Sequence, residues 1–209
     1  MSDNNKMMVT RRAALRGTAV FAGGLYTALN VPRPLALAAM ENSSAVVLTA
    51  TQWVTVEAIT ARIVPTDHQG GAKEANCVNF IDKALANEDS ASAPDFRFGL
   101  SALDLLCSET HGKPFADLSQ EQQDSILVSL ESGSAEPWPV GGAPAADFFE
   151  LVRVLTIMGF MADPNYGGNN EMIGWQVARY PGPRHHQGGY TPAQMLGEEA
   201  ITTLWGDEM

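Results

Sequence analysis

Residues 145–161 read AADFFELVRVLTIMGFM, and this stretch decides the fold class. A surface helix carries one apolar stripe, whereas a helix built from this stretch is apolar on nearly every side. Asp147, Glu150 and Arg153 interrupt the apolar residues and exclude a membrane span. We therefore expect either the central helix of a bundle or a helix with one face that binds a partner.

Four amphipathic segments precede this helix, each with apolar residues at helical spacing. Two of them open with a capping box, in which Thr49 pairs with Gln52 and Ser119 pairs with Gln122. The segments are predicted to cover about residues 49–64, 74–87, 95–107 and 120–131. Since no segment shows sustained alternation with a period of two, we predict an all-α fold, an irregular helical bundle.

Residues 163–189 are rich in glycine, proline, asparagine and aromatic side chains, which specify turns. We predict a long ordered C-terminal loop region here, followed by a last short helix from Thr191 to about Leu204. Three aromatic residues on this loop are either anchors for a protein partner or a cover over the end of the fifth helix: Tyr166, Trp175 and Tyr180.

The first 39 residues have the order of an export signal. Arg11 and Arg12 precede a moderately apolar stretch, residues 17–31, which is short for a membrane-spanning helix. Small residues at 36 and 38 then suit a signal peptidase. We predict a twin-arginine signal peptide over residues 1–39 and a single domain over 40–209, passed by the twin-arginine translocase to the periplasm in a folded state. A chance Arg-Arg before a membrane anchor is the alternative, opposed by the short length.

The balance of charge excludes some partners. The formal charge is −11, and removal of the leader takes away five basic residues and one acidic residue, which leaves −15. Such a surface argues against nucleic acid and anionic lipid as partners. Cys77 and Cys107 are the only cysteines, and the spacing fits either a disulfide bridge or two buried thiols.

Sequence motifs for cofactor chemistry are missing. The sequence contains no G-x-G-x-x-G turn, phosphate loop, G-x-S-x-G elbow, H-E-x-x-H or c-type haem signature. We therefore expect no flavin, haem or metal in this chain. His185 and His186 form the one histidine cluster, for which surface polar contact is favoured over a metal or catalytic site. Glu57, Asp82 and Asp104 are expected on solvated helix faces.

Several motifs together give a resemblance to a known family. The chain resembles gluconate 2-dehydrogenase subunit 3 from Leu48 to about Pro183. It departs from the family pattern at Arg179, where glycine is usual before the Tyr-Pro-Gly turn. The residues that carry the resemblance are Leu48, Thr49 and Gln52, the run 62–67, Gly71, Ala72, Val78, the run 80–82, Leu85, Asp163, Pro164, the run 166–169, Gly174 and Trp175.

The resemblance implies a non-catalytic small subunit. Its partner would be a large FAD-dependent dehydrogenase of the glucose-methanol-choline class that acts on gluconate or another sugar, commonly with a multihaem cytochrome c subunit. In such complexes the small subunit can supply the export signal and aid folding of the flavoprotein. We expect the interface on the fifth helix and the loop after it, with these aromatic contacts: Phe148, Phe149, Phe160, Tyr166, Trp175 and Tyr180.

Two other functions remain open at this point. A stand-alone periplasmic enzyme would use Glu171 with His185 and His186, the polar residues of the C-terminal region. A free helical binding module would need no further subunit. A flavoprotein gene without its own leader beside the gene for this chain would favour the accessory subunit.

Overall fold

A computed structural model describes residues 18–21, 24–27, 46–183 and 190–203. Over residues 46–183 and 190–203 the fold is all-α, as predicted, and the chain forms seven α-helices and four short 3-10 turns. The helices are α1 Ala50–Ile63, α2 Cys77–Ala86, α3 Ala93–His111, α4 Gln120–Glu131, α5 Ala145–Met161, α6 Ile173–Ala178 and α7 Pro192–Leu196. The 3-10 turns are Ser90–Ser92, Phe115–Asp117, Pro164–Tyr166 and Asn170–Met172.

A short antiparallel hairpin, β1 Thr18–Phe21 and β2 Gly24–Thr27, lies in the predicted leader and pairs Thr18 with Thr27. The sequence pattern did not predict these two strands. No helix among the described residues has both the length and the apolar character that crossing a membrane requires.

Helix α5 is the centre of the bundle. It packs against α1, α2, α3 and α4, and its Phe148, Val152 and Leu155 are each buried in the core. Gly99 on α3 leaves room for the ring of Phe148, because a Cβ at position 99 would lie 2.0 Å from Cδ2 of that ring. Phe148 and Phe96 also meet edge to face, with the ring centroids 5.9 Å apart. The central-helix interpretation of residues 145–161 is therefore correct for one side of the helix.

The predicted capping boxes form at the start of α1 and α4. Thr49 Oγ1 accepts from Gln52 N at 3.2 Å, while Thr49 N donates to Gln52 Oε1 at 3.0 Å. Ser119 and Gln122 make the same reciprocal pair before α4. Each box satisfies two backbone N–H groups that a helix start leaves unpaired, so local sequence alone sets where these helices begin.

Asp82 on α2 corrects the expectation of a solvated side chain. It is only 1% exposed, and its carboxylate accepts backbone N–H bonds from the segment before α1. Oδ1 accepts from Val47 at 2.9 Å and from Leu48 at 2.7 Å, and Oδ2 accepts from Val46 at 2.5 Å. The position lies one helical turn after the buried Val78, so the periodicity of α2 places it inward despite its charge. Asp82 thus joins the segment before α1 to α2 through hydrogen bonds.

The other two acids that were expected on exposed faces are half-buried. The Glu57 carboxylate lies 3.8 Å from Lys73 Nζ, and Asp104 sits on α3 next to buried residues of that helix. The expectation of fully solvated faces was therefore wrong for these positions as well, although less so than for Asp82.

Three element boundaries also differ from the predictions. Helix α2 begins at Cys77 rather than at 74, because turns occupy the preceding residues and Asn76 has a left-handed φ of 55°. The region 163–183 contains α6 and two 3-10 turns within the predicted loop. Helix α7 ends at Leu196, where Gly197 takes a φ of 75°, so it is shorter than predicted; Leu204 lies outside the described residues.

Candidate partner-binding site

The loop after α5 is attached to the end of that helix by hydrogen bonds. Asn169 N donates to Gly159 O at 2.8 Å, and Asn169 Nδ2 donates to Ala162 O at 2.8 Å. The indole Nε1 of Trp175 donates to Met161 O at 2.8 Å. Helix ends leave carbonyls without intrahelical partners, and these bonds satisfy three of them. Trp175 therefore acts as the cover over the end of α5, one of the two roles that the sequence left open.

Close backbone contact keeps this loop in one position. A Cβ at Gly168 would lie 2.2 Å from Gly159 O, and a Cβ at Gly174 would lie 1.8 Å from Phe160 O. Asn169 itself is buried with a φ of 44°, a conformation that asparagine tolerates better than most residues, and its Oδ1 accepts from Gly174 N at 2.7 Å. The loop is thus rigidly built, as its composition predicted.

A shallow aromatic pocket of about 380 Å³ opens beside this attachment. Trp175 and Tyr180 meet edge to face with ring centroids 5.2 Å apart, and Tyr190 packs on Tyr180 at 6.3 Å. Burial, helped by a hydrogen bond with Tyr190, raises the pKa of Tyr180 to about 12. The phenol is therefore neutral at physiological pH. The lining residues are Met161, Ala162, Asp163, Tyr166, Trp175, Tyr180 and Pro183.

The side of α5 away from the core is also apolar. Four side chains on it are between 38% and 46% exposed, and their spacing of i, i+3, i+4 and i+7 puts them on one face. We call this face the outer stripe: Val154, Ile157, Met158 and Met161. Met161 also lines the aromatic pocket, as does Tyr166, which is 50% exposed. The outer stripe and the pocket are therefore one continuous apolar surface.

The structure separates the aromatic residues that were expected at an interface. Phe148, Phe160 and Trp175 are buried within the chain itself, which corrects the prediction that they are main contacts of an interface; Trp175 contributes only part of the pocket wall. Phe149 and Tyr180 are half-buried, and Tyr166 is exposed. The prediction chose aromatic side chains as the main contacts with a partner. On α5, however, the aromatic residues pack towards the core. The helical spacing of the outer stripe was the signal that could have found the exposed face.

The two cysteines are free thiols, which selects the second of the two alternatives from the sequence and not the disulfide. Burial raises the pKa of Cys77 to about 12, and burial together with the charge of Asp104 does the same for Cys107. A thiol with so high a pKa is almost wholly protonated near neutral pH, and a protonated thiol is a poor nucleophile and metal ligand. Both cysteines behave as small apolar core residues.

The residues named for an enzymatic site are not brought together in the described part of the chain. Glu171 is exposed at a left-handed φ of 54°, and His185 and His186 lie outside the described residues, as do Arg11 and Arg12 of the predicted signal. Within residues 46–183 and 190–203, no three His, Cys, Asp or Glu side chains converge in the way that a metal site requires.

Of three comparisons with known proteins, one gives a match. A family model, gluconate 2-dehydrogenase subunit 3, matches residues 50–182, which span the bundle from the start of α1 to the loop that lines the pocket. The search of curated proteins and the search of solved structures each found no match. Because the matched stretch is well over half of the chain, the protein belongs to the gluconate 2-dehydrogenase subunit 3 family.

Proposed function

We propose that this chain is the non-catalytic small subunit of a periplasmic, FAD-dependent dehydrogenase complex that oxidises gluconate or a related sugar. The proposal rests on one observation: in a chain of this family, helix α5 is apolar both on the side that faces the core and on the side that faces solvent. One side of the helix fills the core, while the other exposes four large apolar side chains next to a rigid aromatic loop. Contiguous apolar surface of this kind is typical of a protein contact.

The catalytic chemistry is assigned to the partner. The FAD belongs to a large subunit of the glucose-methanol-choline class, and a multihaem cytochrome c subunit would take up its electrons. This chain contributes its apolar surface to the folded flavoprotein and contributes the twin-arginine signal for export. The signal and the missing cofactor motifs support each other, because the twin-arginine route carries a folded chain together with a bound partner.

The test is a co-expression experiment in a bacterial host. The flavoprotein subunit of the proposed complex is expressed alone, with the wild-type chain, and with the chain carrying Arg11→Lys and Arg12→Lys. Dehydrogenase activity with an artificial electron acceptor is then measured in periplasmic and cytoplasmic fractions. We expect periplasmic activity only with the wild-type chain, and cytoplasmic activity with the double variant.

Two controls make the result specific. A periplasmic reporter carrying a general secretory signal shows that fractionation succeeded, and immunoblotting shows that the variant chain accumulates. Periplasmic activity that does not change when the chain is omitted, or when both arginines are replaced, would contradict the proposed export role.

A further inference from the structure

We propose that the outer stripe of α5, together with Tyr166, binds an apolar segment of the dehydrogenase subunit that is flanked by basic residues. The inference rests on the proposed function and specifies the surface and the chemistry of the partner. It assigns recognition to Val154, Ile157, Met158 and Met161, and it gives the buried Trp175 the role of holding the loop.

The geometry of the outer stripe fits a partner segment that lies along the helix. Its four side chains follow one face over two turns, a spacing by which helices and grooves recognise each other. At the carboxyl end of α5, Met161 and Tyr166 open onto the aromatic pocket of about 380 Å³. One apolar side chain of the partner can enter this pocket while the rest of the segment covers the stripe. Two methionines supply an adaptable surface for that contact.

Charge favours a different protein over a second copy of this chain. Residues 46–183 contain 18 acidic and 7 basic residues, so two copies packed stripe to stripe would bring together two chains of negative net charge. Like charges that face each other across an interface are unfavourable. A covering partner is therefore expected to be positive around its apolar contact.

Acidic residues at the amino end of the same face of α5 indicate where the basic residues of the partner would lie. Asp147 and Glu150 precede Val154 by seven and four residues, which places them on the face of the outer stripe two turns and one turn earlier. Arg153 donates two hydrogen bonds to Glu150, at 2.7 and 2.8 Å. Asp147 is exposed in the first turn of α5, so a lysine or arginine of the partner can approach it.

The test measures binding to the purified flavoprotein subunit of the proposed complex. The double variant Ile157→Gln, Met158→Gln replaces the centre of the outer stripe. Its matched control, Leu105→Gln, Val128→Gln, replaces two apolar side chains that are exposed on α3 and α4. All four positions are accessible, so the variants should fold, and circular dichroism with thermal melting checks that they do. Binding is measured by titration on the immobilised flavoprotein.

We expect the stripe variant to bind at least about tenfold more weakly, because central apolar contacts carry most of the energy of an interface. The control should bind within about twofold of wild type, since scattered surface residues contribute little. Asp147→Lys should also weaken binding, and this loss should shrink at high salt, whereas Asp95→Lys, at an exposed position in the first turn of α3, should leave binding unchanged.

Three outcomes would overturn the inference. If wild-type chain binds the flavoprotein and the stripe variant binds equally well, the surface is wrong while the proposed function stands. If the purified chain alone is a dimer that the stripe variant dissociates, the stripe belongs to a second copy. If wild-type chain does not bind the flavoprotein at all, the proposed function fails and the inference fails with it.

Discussion

Replacement of Asp82 tests how much its hydrogen bonds to the segment before α1 stabilise the bundle. The carboxylate accepts three backbone N–H groups from residues 34 to 36 positions earlier in the chain. In Asp82→Ala the exposed Val46 N–H can turn to water, whereas the buried Leu48 N–H cannot. A buried donor left unpaired costs about 1–3 kcal/mol, and a hydrogen bond to a charged group contributes about 1.5–3 kcal/mol. We therefore expect Asp82→Ala to lower the free energy of unfolding by about 3 kcal/mol.

Asp82→Asn should cause a loss of stability between those of wild type and Asp82→Ala, because only one of its two side-chain positions can still accept a hydrogen bond. Its remaining oxygen can still accept from Val47 and Leu48, as Oδ1 does now, but the amide nitrogen would face the Val46 N–H. The expected loss is about 1–2 kcal/mol, since one acceptor becomes a donor.

The assay is urea unfolding of the purified chain, followed by far-UV circular dichroism, with thermal melting as a second measurement. A loss of about 3 kcal/mol corresponds to a melting temperature about 6–12 °C lower for a domain of this size. Glu88→Ala, at an exposed position just after α2, is the control and should change stability by less than about 0.5 kcal/mol. Equal stability of Asp82→Ala and Glu88→Ala would refute the assignment of Asp82 as the tie between α1 and α2.

Three further predictions concern the loop, the thiols and the pocket. Gly174→Ala should lower the melting temperature by several degrees, because its Cβ would lie 1.8 Å from Phe160 O; an unchanged melting curve would show that the loop can shift. Cys77 and Cys107 should react with a thiol reagent at pH 8 only after denaturation, when two equivalents appear, because burial raises the pKa of both to about 12. Tyr180 should titrate near pH 12 by ultraviolet absorbance, compared with a Tyr180→Phe variant. Its pKa is higher in the folded chain than in the unfolded one, so its contribution to stability is complete below about pH 10 and is lost between about pH 10 and pH 12.

The sequence predicted the helices well where local chemistry decides them. The capping boxes at Thr49 and Ser119 form as expected, and α5 has the predicted bounds. These features depend on residues within about four positions of each other, so a short window contains the necessary information. The start of α2 was predicted three residues too early, because Asn76 takes a left-handed φ of 55° before the helix, a conformation that asparagine tolerates but that its residue type alone does not require.

The candidate site was only partly predictable. The sequence indicated α5 and the loop after it, and these two elements do form one surface. It did not indicate which of their apolar residues are exposed. Phe148 and Trp175 were expected to contact a partner, yet one fills the core beside Gly99 and the other donates to Met161 O. Nothing in the residue type distinguishes a core aromatic from an exposed one when a helix is apolar on every side.

The sequence by itself determined an all-α chain with a central apolar helix, a rigid loop after it, and an acidic surface. These properties follow either from the overall amino-acid composition or from a pattern of residues within a single helix or loop. Only the tertiary structure decided that Asp82 is buried and that the outer stripe, rather than the aromatic residues, remains accessible. Each of these depends on which elements meet across distant parts of the chain, such as the bonds from Asp82 to residues 46–48. Burial is a property of the packed neighbours of a side chain, and the sequence near that side chain does not contain them.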